Sequence, residues 1–151
     1  MRDLTFSQES VADVEREIQP LLLANWATVA KHYPDSTFAP NLQVYRDLAA
    51  ADALRIFTVR SGKDLVGYAV VFLIRHPHRS DDLVGTLDTF FILEGHRQGG
   101  VAIAFLRYVE ERLHDDGVSV VLFATRDPLL CRWLRSIAHY EPTETVFERR
   151  V

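Results

Sequence analysis

Apolar positions change their spacing several times along the chain, and each change marks an element. After a short strand signal at Leu4 to Phe6, Ser10 followed by Asp13 three positions on reads as a helix N-cap, and Val11, Val14 and Ile18 recur at helical spacing behind it. Pro20 predicts a break, with a second helix from Leu21 to about Lys31. Pro34 and Pro40 bracket His32 to Asn41 as a loop, after which Leu42, Tyr45, Leu48 and Ala49 resume a helical pattern.

The middle of the chain switches to strand spacing. Arg55 to Arg60 and Leu65 to Arg75 are predicted as a hairpin turning at Ser61-Gly62-Lys63-Asp64. His76 to Asp82 is polar and holds a proline, so it predicts a loop leading to a third antiparallel strand from Val84 to Leu93. Ala102, Leu106, Val109 and Leu113 line one face of a helix that ends at Asp115-Asp116-Gly117 and leads into a strand from Val118 to Thr125. A strand returning through a helix to another strand of one sheet favours parallel pairing, so the sheet is expected to be mixed. A last helix from Pro128 to about Ala138 and a closing strand over Thr143 to Arg150 complete the prediction.

Composition narrows the class. A chain of 151 residues, 48% hydrophobic and 25% charged, fits one compact domain over 1–151. A net charge of −4 gives no overall pull toward nucleic-acid phosphates or anionic membranes. Cys131 is the single cysteine, which excludes an internal disulfide and a cysteine-held zinc and fits a reducing cytoplasm. No apolar run approaches the roughly 18 residues of a membrane span, and the amino terminus lacks the apolar stretch of a signal peptide.

The chemistry concentrates between the strand ending at Leu93 and the helix beginning near Val101. Arg97, Gly99 and Gly100 stand where the unpaired N–H groups of a helix start face outward, which makes an anion site. The glycines let the backbone approach a ligand and tolerate positive φ, and Ala102 keeps the first turn small enough for a diphosphate. The plainer alternative is a glycine loop that only connects two elements.

Arg97-x-x-Gly100-x-Ala102 resembles the diphosphate loop of the GNAT N-acetyltransferases, Arg/Gln-x-x-Gly-x-Gly/Ala, and the order of elements from about Ser10 onward is similar to theirs. The resemblance implies an α/β fold whose mixed, mostly antiparallel sheet is flanked by helices and splays at a parallel pair to admit acyl-CoA. It implies acetyl-CoA as co-substrate, Phe91, Ile92 and Leu93 as the strand edge that meets the pantetheine arm, and Arg97, Gln98, Gly99, Gly100, Val101 and Ala102 as the diphosphate cradle. Asn25-Trp26, His32-Tyr33, Leu65 to Val70 and Tyr140 to Thr145 also resemble phage and prophage members of the family. The implied acceptor is an amine on a small molecule, a protein or a modified nucleobase; no metal and no membrane are implied, and a homodimer is compatible.

Acyl transfer to an amine needs a base for the amine and a proton for the departing thiolate. Asp88, on the strand leading to the loop, is the expected base, partly buried among Leu87, Phe90 and Phe91. The family's usual tyrosine acid is absent: Arg135 stands at about that position and His139-Tyr140 replaces a Gly-Phe pair, leaving Tyr140, Cys131 or water as donor. His32, His76 and His78 are expected on the acceptor side, with the loop from His76 to Asp82 helping to choose the acceptor, and Trp26, Tyr33 and Phe38 are either pocket or core. Two functions follow: an active N-acetyltransferase, or a catalytically weak binding or inhibitory partner on the same fold.

Overall fold

The computed structural model describes residues 3–151. Strand β1 (Leu4–Glu9) ends at Ser10, which caps α1 (Val11–Val14): its Oγ accepts from the Asp13 N–H at 3.2 Å and donates to the Asp13 carboxylate at 2.7 Å. Residues 15–17 make one turn and the chain re-enters helix as α2 (Ile18–Val29). Pro20 therefore lies in the first turn of α2 and breaks nothing, because an N–H there has no partner to lose. A single 3₁₀ turn, Ala30–His32, leads to the loop before α3 (Leu42–Ala50), where Asn41 caps with its side chain.

The hairpin predicted in the middle of the chain is β2 (Leu54–Ser61) and β3 (Asp64–Arg75), followed by β4 (Leu83–Ile92). Helix α4 (Val101–Asp115) crosses over to β5 (Val120–Phe123), and α5 (Pro128–Ser136) follows. The sheet has the order β1-β2-β3-β4-β5, antiparallel except for the parallel pair β4–β5. This is the mixed α/β arrangement expected from the sequence.

Each sheet face carries its own core. Phe57, Val59, Ala69, Val71, Leu87 and Ile92 pack under α4, which buries Phe105, Leu106, Val109 and Leu113. Ile56, Tyr68, Val70 and Phe91 pack on the other face under Val14, Ile18 and Leu21 of α1 and α2. Arg60 ties the entry to this second layer, binding Glu9 of β1 at 2.8 Å and Glu17 at 2.9 Å.

Two expectations are corrected. Residues 143–150 form no strand; they are irregular and exposed, with Val146 84% and Phe147 90% accessible. Consecutive apolar residues there give no single face to bury, so a ladder has nothing to repay its ordering. The segment is held by side chains instead, Glu148 on Arg126 and Arg150 on Ser36. The loop from His76 to Asp82 lies at the opposite end of β4 from residues 97–102, with Asp82 bonded to Ser119 before β5. Nine residue steps of strand, about 30 Å, separate the two ends.

Candidate functional site

Strand β4 is ten residues long and β5 only four, and their pairing stops at Leu87↔Phe123. Which backbone groups this leaves open follows from the register with β3. Leu93 N–H donates to Val66 O at 2.9 Å, so 66/93 is a hydrogen-bonded pair and, by alternation, so is Tyr68↔Phe91. The N–H and C=O groups of Phe90 and Ile92 point the other way, past the end of β5. One extra residue in β4, Asp88 between Leu87↔Val71 and Thr89↔Val70, makes a β-bulge just where the strands part.

The side chains around this gap are aromatic. Phe90 stacks on Phe105 at 5.3 Å and on Trp133 at 6.4 Å between ring centres, and Phe123 lies 5.8 Å away. These rings fill the wedge between the diverging strands on the α4 side. Phe91 faces the opposite layer, and Leu93 continues the ladder with β3. Of the three edge residues expected from the sequence, Ile92 alone turns its backbone into the gap, joined by Phe90, which the sequence did not single out. The bulge that sets this parity leaves no trace in a pattern of apolar residues.

Just beyond, the chain makes a 3₁₀ turn (Glu94–His96) and reaches Gly99 and Gly100 at φ +70° and +77°. Gly100 is the N-cap of α4 and has no side chain to bond the first-turn N–H groups of Val101, Ala102 and Ile103. No acidic side chain occupies that first turn either. A Cβ on Gly100 would meet only Ile103 Cγ2 at 3.8 Å, so the glycine opens on free space. Arg97 folds back over this junction: its Nε donates to Ile92 O at 2.6 Å and its guanidinium lies 5.6 Å from the Phe91 ring centre. Gln98 is exposed beside it. An uncapped helix start, two left-handed glycines and an arginine make a cradle suited to a diphosphate, and the open β4 backbone suits an extended amide-bearing arm. Acetyl-CoA carries both groups, so the residues fit it.

Asp88 is exposed rather than partly buried, because the bulge turns it out of the strand. It accepts from Thr89 Oγ1 at 3.1 Å, and its charge acts on Tyr45 of α3 and Tyr68 of β3, which places it on the α2–α3 side. Tyr140 packs edge-on against Phe123 and donates its hydroxyl to Glu110 of α4 at 2.6 Å. Burial first, then Glu110, raises its pKa well above the ordinary phenol value. The preceding His139 takes φ +59°, the left-handed turn that carries the chain off α5.

The other candidates disperse. Cys131 and Arg135 line an open groove on the outer face of α5 with Arg126, Arg132 and Ser136. His78 N–H donates to His76 Nδ1 at 3.1 Å in the loop at the far end of β4, and His32 ends the 3₁₀ turn after α2. Trp26 stacks on Tyr33 at 5.9 Å and touches Phe38 at 6.2 Å, a small aromatic cluster over which Arg126 sits.

Comparison with known proteins agrees with this geometry. Residues 17–130 match the family model described as the acetyltransferase (GNAT) family. No curated relative matches the chain. Among solved structures, a ribosomal-protein-alanine N-acetyltransferase from Brucella melitensis biovar Abortus 2308 is similar at a TM-score of 0.73 and 20% identity, over 99% of each chain. An aminoglycoside acetyltransferase from an uncultured soil metagenomic sample gives 0.77 at 16% identity, again over 99% of each chain. A predicted acetyltransferase from Clostridium acetobutylicum, solved with acetyl-CoA, gives 0.69 at 13% identity over 98% of this chain and 96% of the other. At these identities the structural likeness speaks for the fold.

Proposed function

The chain belongs to the GNAT acetyltransferase family, and from that premise we propose that it transfers an acetyl group from acetyl-CoA to a primary amine by direct attack. The observation that carries the reading is the open edge of β4 at Phe90 and Ile92, running straight into the glycine-led start of α4.

In this reading Gly99, Gly100, Val101 and Ala102 hold the diphosphate through backbone N–H groups, with Arg97 and Gln98 beside them. Phe90 offers its outward N–H and C=O, and Ile92 its N–H, to the pantetheine amides, the Ile92 oxygen being already bound by Arg97, and the Phe90–Phe123–Trp133 wedge keeps water from the thioester. The acetyl group then lies by the bulge, next to Asp88. The amine nitrogen forms the new N–C bond as the C–S bond breaks; Asp88, directly or through water, takes the amine proton. Tyr140 is committed to Glu110 and holds its proton more tightly than an ordinary phenol, so water is assigned the proton that the thiolate gains. The single cysteine supports a reducing compartment for this chemistry.

Calorimetry with acetyl-CoA and a CoA-release assay test the reading. Binding is expected, and Gly100→Glu should abolish it by placing a side chain and a negative charge in the cradle. Folded protein that ignores high micromolar acetyl-CoA would sink the proposal. Asp88→Asn should leave binding intact and depress turnover; turnover unchanged from pH 6 to 9 would remove Asp88 from the base role. The same Tyr140–Glu110 bond supports a second reading, a partner protein that binds acetyl-CoA and turns over weakly, and the assay separates the two.

A further inference from the structure

Tyr68 is 0% exposed, and its hydroxyl has no hydrogen-bond partner of good geometry. Native folds rarely leave a buried hydroxyl orphaned, since its lost hydration is not returned. The ring itself is well placed, paired in register with Phe91 at 6.1 Å between centres. It is the polar end that lacks company of its own kind. That end reaches the layer between β4, α2 and α3, where Asn25 and Tyr45 lie near it without a hydrogen bond of good geometry and the Asp88 carboxylate acts on it.

Four elements thus bring polar groups together: Asn25 from α2, Tyr45 from α3, Tyr68 from β3 and Asp88 from the bulge of β4. Their exposure is graded, with Tyr68 sealed, Asn25 and Tyr45 half-buried and Asp88 open. The Tyr45 hydroxyl, like that of Tyr68, is left unbonded among the described residues, and burial raises its pKa, with Asp88 adding to the effect. Arg46, the cation next to Tyr45, is already bound by Glu15 and Gln43, so Asp88 supplies the uncompensated charge. The bulge at Asp88 falls between Val70 and Val71 in the β3 register, so Tyr68 is two to three residue steps away, roughly 7–10 Å along the strand.

We propose that Asn25, Tyr45 and Tyr68 form, with Asp88, a recognition pit for the acceptor, one that takes a small cationic amine carrying a hydroxyl or similar neutral oxygen within several bonds of its nitrogen. The carboxylate at the rim receives the ammonium, and the two phenols and the amide on the floor and walls receive the neutral oxygen. This rests on the acetyltransferase reading for the fate of the amine, but the pit itself binds without acetyl-CoA. Tyr68, sealed in the free protein, gives up a bond there and makes it when the acceptor parts the half-buried Asn25 and Tyr45 from it.

The test uses the full chain with glucosamine and ethanolamine as hydroxylated probes and cyclohexylamine and n-propylamine as their counterparts. Wild type is expected to bind the hydroxylated amines at least about tenfold more tightly by calorimetry without acetyl-CoA, and to show the same preference in KM for CoA release. Tyr68→Phe should raise KM for the hydroxylated amines about tenfold, leave kcat and acetyl-CoA affinity near wild type, and raise Tm because the orphaned hydroxyl is gone. Tyr45→Phe should move KM the same way without the gain in Tm. If Tyr68→Phe raises Tm but leaves KM for both amine types unchanged, or if wild type prefers the alkylamines, the pit is overturned. Glucosamine binding that Tyr68→Phe abolishes, in a protein that ignores acetyl-CoA, would uphold the pit while removing the transferase reading.

Discussion

The Nε of Arg97 donates to the backbone oxygen of Ile92 at 2.6 Å, so the glycine loop proposed as the diphosphate cradle is stapled to the strand edge that precedes it. One side chain thereby links the open β4 edge to the turn before α4, with its guanidinium over the Phe91 ring. Arg97→Ala removes both the staple and the cation and should weaken acetyl-CoA binding about tenfold by calorimetry. Arg97→Lys keeps the charge but lacks the forked donor, and should fall between the two.

Gly67 stands opposite Ile92 in the β3–β4 register, and a Cβ there would lie 2.9 Å from Phe91 O and 3.1 Å from Ile92 Cγ1. Both contacts are in the packed interior, so β4 itself must shift. Gly67→Ala should cost about 1–3 kcal/mol in chemical denaturation and weaken acetyl-CoA binding by moving the strand edge. Gly99→Ala is the comparison: its Cβ would meet nothing within 4 Å, and the cost is confined to the φ of +70°, about 1–2 kcal/mol.

Tyr140→Phe loses a bond to a carboxylate in a half-buried place and should destabilise the protein by about 1–2 kcal/mol. Its kcat should stay near wild type at all pH values if water protonates the thiolate. A collapse of kcat with Tm unchanged would return the proton-donor role to this tyrosine.

Glu9 is held below its ordinary pKa by its hydrogen bond from Arg60, with Thr58 adding a second at 2.6 Å. A depressed folded pKa contributes stability above the unfolded value, near 4.3, and that contribution is lost as pH falls through the lower folded value. Wild type should therefore lose Tm from about pH 4.3 downward. Glu9→Gln should be less stable by about 1–3 kcal/mol near neutrality and show a shallower decline in acid, as thermal unfolding between pH 7 and 2.5 would show.

Much of the architecture was legible because its signals are local. Ser10 with Asp13, the break at Gly62, and the Asp115-Asp116-Gly117 stop each act within one turn, and the elements fall where those residues put them. Gly99 and Gly100 were legible for the same reason, since a left-handed backbone favours glycine over residues with a Cβ. What escaped was set by tertiary pairing. Nothing local says that Asp88 is an extra residue, so neither its exposure nor the outward turn of Phe90 could be foreseen. The loop at His76 looked close to the site only because it adjoins the same strand, and a strand has two ends. Thr143 to Arg150 alternates well enough on paper, but pairing also needs a buried face, and Val146 and Phe147 divide theirs.

The unequal lengths of β4 and β5 give one interior strand two kinds of backbone. Residues 84–87 are paired on both sides, whereas Phe90 and Ile92 are bonded by a neighbouring strand on neither. Amide protons usually report how deep a strand lies in its sheet; in β4 they should report position along it, with protection high at Gly85 and Leu87 and falling within five residues to the exchange of a sheet's rim. Pairing on both sides at one end of this interior strand and on one side at the other leaves backbone groups open without any part having to move aside.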